Sequence, residues 1–323
     1  TIDEQAGNIS NLSSVLNAST ISATIFMDPY DEDITSSLLR PLAGIADFGV
    51  IGDVGFKETI IDTTNKLYKK ESQFAVLKAA RDTLKKLAGE DPIGFRPTYQ
   101  FFDENTLQAL SAYDYKFMIT DSSADRSVPR LEIREEKPII ILTKTSRDDY
   151  TVVRDFGLKS AEFQRYTYIE DIDRILFEGG LYILQLHTSQ QLKGNYIGVI
   201  NELTKYMRNK KMWLPSIQEL SEWWIRRGRI EIKHEVRSAR RFMVEVTNPA
   251  KIATKDVLVE IHLNKKIENI KVSSEIIGTP LPKYDFDSKT QLVTFYFDVL
   301  EAGESRAYLL DFDNFGEKSV ELF

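Results

Sequence analysis

Asp3, Glu4, Asp53, Glu58, Arg96, Asp121 and His187 are the residues of this sequence whose types and placement suit hydrolytic chemistry. Each stands at or just beyond the end of a short apolar run, and ligands gather at the carboxyl ends of strands in a parallel sheet. Carboxylates, a guanidinium and an imidazole brought to one face would suit metal-assisted hydrolysis, with one acid as base, others as ligands and the imidazole as acid. Each residue also has a plainer reading. Asp3 and Glu4 would be a solvated strand end, and Glu58 a first-turn residue favoured by a helix dipole. Arg96 would pair with a buried acid such as Asp3, and His187 would be a satisfied core histidine.

The elements that must position these residues follow from the hydropathy pattern. Short apolar runs at 22–27, 48–51, 94–96, 117–120, 139–143 and 181–187 predict strands. Between and after them, helices are predicted at 59–87, from Asp103 onward, at 194–208 and at 216–227. The first ends at Gly89 ahead of Pro92, as helices do. This alternation predicts an α/β domain with a mainly parallel sheet over residues 1–228. After Gly228 the pattern becomes alternating apolar and polar, broken by turns at Asn248-Pro249, Gly278-Thr279-Pro280 and Ala302-Gly303-Glu304. Strands are expected at 230–236, 241–247, 257–263, 270–272, 292–299 and 306–312, which would make residues 229–323 a small antiparallel β-sandwich without helices.

Composition narrows the function classes. The 323 residues carry 42 Lys+Arg against 49 Asp+Glu, a net charge of -7, so nothing in the balance favours nucleic acid. No apolar run is long enough to span a membrane as a helix; the longest, such as 138–142, are strand-sized. The absence of cysteine excludes disulfides, thiolate metal sites and a thiol nucleophile. The opening Thr1-Ile2-Asp3 has neither an initiating Met nor the pattern of a signal peptide, and is expected to be the start of a fragment of something longer.

Several short motifs, in order, resemble the NodB-type polysaccharide deacetylases, carbohydrate esterase family four. Thr1-Ile2-Asp3-Glu4-Gln5 stands where that family has Thr-Phe-Asp-Asp-Gly, and Ile21-Ser22-Ala23-Thr24-Ile25-Phe26 is similar to its Ala-Thr-Phe-Phe strand. Phe95-Arg96-Pro97-Thr98-Tyr99 resembles Arg-Pro-Pro-Tyr, the run from Tyr115 to Asp121 matches the strand that follows, and Leu184-Gln185-Leu186-His187-Thr188 resembles Leu-x-His-Asp. The resemblance implies a distorted (β/α) barrel that removes acetyl groups from amino sugars. It also implies a divalent metal, commonly zinc, held by an acid of the first motif and a His-x-x-x-His pair. The two imidazole positions of that pair fall on Val54 and Glu58. Valine has no lone pair, so the zinc site cannot be built, and oxygen ligands from Glu4, Glu58 and Asp53 would suit a harder ion such as magnesium, calcium or manganese.

The expected function is therefore a deacetylase-like, non-catalytic glycan-binding or assembly module of a larger envelope or extracellular protein. It needs no cofactor, and its partners are a glycan and other parts of that protein. The alternative is an active deacetylase of N- or O-acetylated polysaccharide. There Asp3 would be the base and His187 the acid, with Arg96 and Asp121 beside them, Tyr99 binding substrate, and a divalent ion on Glu4 and Glu58. Trp213, Trp223 and Trp224 read either as sugar-stacking faces or as core anchors. Asn8, Asn11 and Asn17 each begin an Asn-x-Ser sequon, which matters in a secreted chain.

Overall fold

A computed structural model of the chain describes residues 9–54, 69–121, 128–134, 137–238, 240–264, 266–276 and 278–312. The chain divides into two compact units, Thr1–Ser221 and Glu222–Phe323.

In the first unit the elements run α1 (Ile9–Ser19), β1 (Thr24–Met27), α2 (Ser36–Leu39), β2 (Asp47–Gly52), α3 (Lys70–Ala88), β3 (Gly94–Pro97), α4 (Glu104–Ala112), β4 (Phe117–Thr120), β5 (Arg130–Arg134) and β6 (Lys137–Thr143). Then follow α5 (Ala161–Glu178), α6 (Thr188–Gln191), α7 (Ile197–Asn209) and α8 (Ile217–Arg229), the last running past the division point. The sheet has the order β1-β2-β3-β4-β6-β5, parallel throughout except for the β5–β6 hairpin pair at its edge. Strands covered on both faces read as continuous apolar runs rather than alternating ones. The five residues from Ile139 to Thr143 in β6 are all buried, which fits that rule.

Two glycines let the sheet curl. A Cβ at Gly49 would lie 2.5 Å from the Phe26 ring, and one at Gly94 would lie 2.4 Å from the Phe117 ring. The rings from β1 and β4 therefore reach across the two strands between them and meet edge to face at 5.9 Å. A side chain on either glycine would collide with one of those rings and displace it.

The helices are set by local chemistry. In α3 the buried Leu77, Ala80, Leu84 and Ala88 recur at three and four, and Gly89 closes it at φ 84°, its N–H donating to the Lys85 carbonyl. Asp103 opens α4 with a capping box: it accepts from the Thr106 N–H at 3.0 Å, while its own N–H donates to the Thr106 hydroxyl at 3.1 Å. That hydroxyl donates to buried Gln73 at 2.6 Å, and the Gln73 amide donates to Asp103 at 3.1 Å, so the cap also fastens α3 to α4.

The second unit contains β7 (Glu231–Ser238), β8 (Arg241–Thr247), β9 (Thr254–His262), β10 (Ile270–Ser274), β11 (Lys283–Asp287), β12 (Leu292–Leu300) and β13 (Ser305–Phe312). They make a four-stranded sheet in the order β10-β13-β8-β7 and a three-stranded sheet in the order β11-β12-β9, both antiparallel. Phe242, Val244, Tyr308 and Leu310 from the first sheet share one apolar cluster with Val259, Ile261, Phe295 and Phe297 from the second. Buried Asn248 fixes one turn by donating to the carbonyls of Ile252, Leu300 and Glu301 and accepting from the Ala250 N–H. Among the described residues of 230–312 there is no helix.

The hydropathy pattern missed α1, α2, α5, α6, β5 and β11, and one expected strand is absent. α5 is masked in sequence because Phe163, Tyr166 and Phe177 sit on its exposed face and blur the periodicity. The charged hairpin strand β5 and the short β11 carry too few buried residues to read as strands. The predicted strand at 181–187 is extended chain outside the ladder. It is tied instead by side chains: Thr145 Oγ1 accepts from the Ile183 N–H at 2.7 Å, and Ser146 Oγ donates to the Ile183 carbonyl at 2.7 Å.

Candidate functional site

Polar residues from the carboxyl ends of β3, β4 and β6, and from the extended segment at 181–187, meet in one hydrogen-bonded chain. Arg96 lies near the end of β3 and Asp121 follows β4 directly; the guanidinium Nη2 sits 2.7 Å from Asp121 Oδ2. The other arm of Arg96, Nη1, donates to Oε1 of Gln185. Gln185 in turn places its amide nitrogen 3.4 Å from Nε2 of His187. On the far side of the ring, His187 Nδ1 lies 2.6 Å from Oδ1 of Asp149, whose Oδ2 accepts from the His187 backbone N–H at 2.9 Å.

The pattern of donors fixes the protons. An ionised Asp149 only accepts, so neutral His187 carries its proton on Nδ1 and leaves Nε2 as the acceptor. The Gln185 amide then points its nitrogen at Nε2 and its oxygen at Arg96, which satisfies both neighbours at once. Burial gives the arrangement rigidity: Asp149 is fully buried and His187 nearly so. The Tyr150 ring stacks on the imidazole at 3.7 Å with planes 6° apart, and its hydroxyl is 3.1 Å from Ser189 Oγ. Arg154 covers the Tyr150 ring at 5.3 Å. Next to the pair, burial pushes the Asp148 carboxyl up, but bonds from Lys144 and Thr151 outweigh it and hold that carboxyl below the ordinary range.

Asp121 is held from its backbone as well. Gln100 adopts a left-handed φ of 64° and its side-chain oxygen accepts from the Asp121 N–H at 2.8 Å. A non-glycine residue in that region costs roughly 1 kcal/mol, so the surrounding contacts enforce the position. Asp121 Oδ1 is buried with no hydrogen-bond partner among the described residues.

Of the residues singled out in the sequence, Arg96, Asp121 and His187 belong to this chain of contacts. Asp53 is half-buried just beyond β2, and Tyr99 lies in the turn Thr98–Gln100 that follows β3. Asp3, Glu4 and Glu58 lie outside the described residues. Sequence reasoning missed Gln100, Asp149, Tyr150 and Gln185. A signal for Asp149 existed: the doublet Asp148-Asp149 follows β6, the most buried run of the sheet, and only its distance from the strand end hid it. Trp223 and Trp224, weighed as stacking faces, are half-buried and pack on each other at 5.7 Å.

The sequence matches no family model and no curated protein. Solved structures do match. A protein from Mycobacterium smegmatis described as a polysaccharide deacetylase superposes with a TM-score of 0.54 at 14% identity, over 67% of this chain and 76% of that one. One from Pseudomonas aeruginosa described in the same way gives 0.52 at 15% identity, over 68% and 73%. The allantoinase Puue gives 0.53 at 15% identity, over 67% and 72%. The first unit has the polysaccharide deacetylase fold. At these identities the likeness speaks for the α/β architecture and its parallel strands, and the chemistry has to come from the residues.

The described residues bear on one position of the metal site that the sequence resemblance implies. Val54, which the sequence resemblance sets at the first imidazole position, is 2% exposed and packs in the apolar cluster with Phe48, Val50 and Phe95. A hydrocarbon side chain enclosed in the core offers no lone pair. Among the described residues no group of three or more His, Asp or Glu side chains is placed to hold a metal ion.

Proposed function

We propose that the first unit is a glycan-binding domain on the deacetylase fold, serving recognition or assembly within a larger envelope or extracellular protein. The observation that carries this reading is Val54, buried where a metal-binding imidazole is expected. In metal-assisted hydrolysis the ion brings bound water towards a pKa of about 7 and polarises the carbonyl. Losing even about 5 kcal/mol of that stabilisation slows turnover by more than roughly a thousandfold. What stays in place is a polar network of the Arg96 guanidinium, the Asp121 carboxylate and the Gln185 amide. These groups suit the hydroxyl and acetamido groups of a sugar.

The test pairs two measurements on acetylated chito-oligosaccharides and peptidoglycan fragments. Acetate release is assayed with zinc, manganese, magnesium or cobalt added in turn, and binding is followed by titration calorimetry. Expected are no release above background and a binding signal that Arg96→Ala weakens tenfold or more, about 1.4 kcal/mol. Chelator-sensitive release that Asp3→Ala also abolishes would replace this reading with a second one, an active deacetylase using an oxygen-rich metal site. The observation that favours the second reading is the His187–Asp149 pair, which holds an imidazole in one tautomer as general acid–base work requires.

A further inference from the structure

The strand β7 is exposed along its whole length, all eight residues from Glu231 to Ser238, and it forms the edge of the four-stranded sheet beside β8. Edges are ordinarily blunted by charges that discourage a second strand. The charges on β7 do something else, because their signs alternate. Glu231, Lys233 and Glu235 stand at every second position and share one face, with Arg237 next in the alternation of sign at a register irregularity; Ile232, His234 and Val236 share the other. Ile232 and Val236 are 43% and 59% exposed.

We infer that β7 is the surface through which two copies of this chain associate, pairing antiparallel about a two-fold axis at His234. In that register Lys233 faces Glu235 of the second copy, Ile232 faces Val236, and Glu231 faces Arg237. Symmetry makes each contact twice. Directly opposed pairs of unlike charge or of apolar side chains each contribute roughly 0.2–1 kcal/mol, and like charges cost similar amounts. The neighbouring registers that keep the same faces together fail on this ground. Moving the axis to Lys233 sets Lys233 against itself and Glu231 against Glu235. Moving it to Glu235 sets Glu235 against itself and Lys233 against Arg237. Axes at Ile232 or Val236 also oppose unlike charges, but only Glu231 with Lys233 or Glu235 with Arg237, so the axis at His234 matches the most charges within β7, and an edge matched to itself specifies a partner rather than repelling all of them.

The geometry of the single chain is compatible with the pairing. The β7–β8 register shifts between Val236 and Ser238, so the irregularity falls on Arg237 at the rim and leaves 232–236 regular. The charges are now matched within their own chain: Arg237 is 3.1 Å from Glu235 and 2.8 Å from Glu275, and Lys233 is 3.9 Å from Glu231. Such exposed pairs are worth little, so trading them for cross-strand ones costs little. Joined this way, the sheets of two copies become one continuous sheet with the β7 edges closed.

The full 323-residue chain lends itself to the test because it has no cysteine. His234→Cys supplies a sole thiol, and in this register the two Cα atoms face each other at about 4.5–5.5 Å, within the roughly 4.4–6.8 Å that a disulfide spans. Expected are a concentration-dependent dimer in sedimentation and rapid covalent dimer formation by the His234→Cys variant on oxidation. Ile232→Cys, whose partner is Val236, should cross-link much more slowly. Lys233→Glu should weaken the dimer tenfold or more, and adding Glu235→Lys should restore it, with circular dichroism showing each variant folded. A monomer at every concentration, a dimer indifferent to Lys233→Glu, or equal cross-linking from positions 232 and 234 would overturn the inference.

Discussion

In the first unit the strands run out into charged and amide side chains that bond to one another, whereas in the second unit the buried amide at a strand end, Asn248, bonds to the backbone of neighbouring turns. Asp149, His187, Gln73 and Thr106 are buried in the first unit, and each is hydrogen-bonded. The buried cluster of the second unit is apolar apart from Tyr308, whose hydroxyl donates to the Pro280 carbonyl at 3.1 Å. Burying a polar group costs free energy unless its bonds are completed, so a structure that buries several near strand ends concentrates its constraints there. The antiparallel sheets of the second unit share an apolar cluster and draw mainly on its packing. The difference places the long-range polar network in the first unit and leaves the second with an exposed edge at β7.

The comparison breaks first, if it breaks, on packing in the second unit. Phe295 is fully buried and meets Phe297 at 6.3 Å and Tyr308 at 5.6 Å. Phe295→Ala should cost about 3–5 kcal/mol. Hydrogen exchange should show protection lost across β8, β9, β12 and β13 and kept in β1 to β4. Equal loss in both units would mean that they do not hold their stability separately.

A hydrogen-bond effect of nearly that size is expected in the first unit. Asp149→Ala strips the partner from both His187 Nδ1 and the His187 N–H. A hydrogen bond to a charged group contributes about 1.5–3 kcal/mol, so the loss should be about 3 kcal/mol, confined to the first unit and visible as a lower urea midpoint for its transition. A change below about 0.5 kcal/mol, the level of an ordinary surface substitution, would show the pair to be dispensable.

Next in size is the Asp103 cap. Burial pushes this carboxyl up, but bonds from Thr106, Gln73 and Asn105 outweigh it and hold it below its ordinary value. A carboxyl depressed on folding adds stability that is complete above its unfolded pKa and is lost as pH falls through the folded one. Asp103→Ala should therefore cost about 1–2 kcal/mol at neutral pH. The gap between variant and parent should narrow below about pH 4, where the parent loses the same interaction. Denaturant titrations at the two pH values check the sign, and a gap that widens in acid would contradict it.

How much of this was legible in the sequence depended on the range of the interaction. Strand β4 and strand β8 have the bounds that hydropathy predicts, because a strand's pattern is complete within itself. The network is not local: Arg96 and Asp121 are 25 residues apart, Asp149 and His187 are 38 apart, and Arg96 and Gln185 are 89 apart. Looking for polar residues right after apolar runs found Arg96, Asp121 and His187. It stopped short of Asp149, six residues beyond β6, and it read Gln185 as an inner residue of a strand. The segment that carries Gln185 and His187 bonds to Thr145, Ser146 and Asp149 by side chains instead of joining the ladder, and no periodicity announces that.

The smallest effect, and the sharpest test of how the site is wired, belongs to Gln185→Leu. Gln185 touches both arms of the network, accepting from Arg96 and offering its amide to His187 Nε2 across 3.4 Å. That last separation is long for a hydrogen bond, so its loss should cost less than about 1 kcal/mol. Position, not stability, is what the substitution changes. The chain has three histidines, and His234 and His262 are both exposed, so ring nitrogen resonances separate His187 from them readily. In the leucine variant the Nδ1 proton should persist, because Asp149 still accepts it. The Nε2 resonance should move, because it no longer faces a donor. Loss of the Nδ1 proton signal would mean that Gln185, and not Asp149, selects the tautomer, and that the imidazole is held from the cleft side rather than from the core.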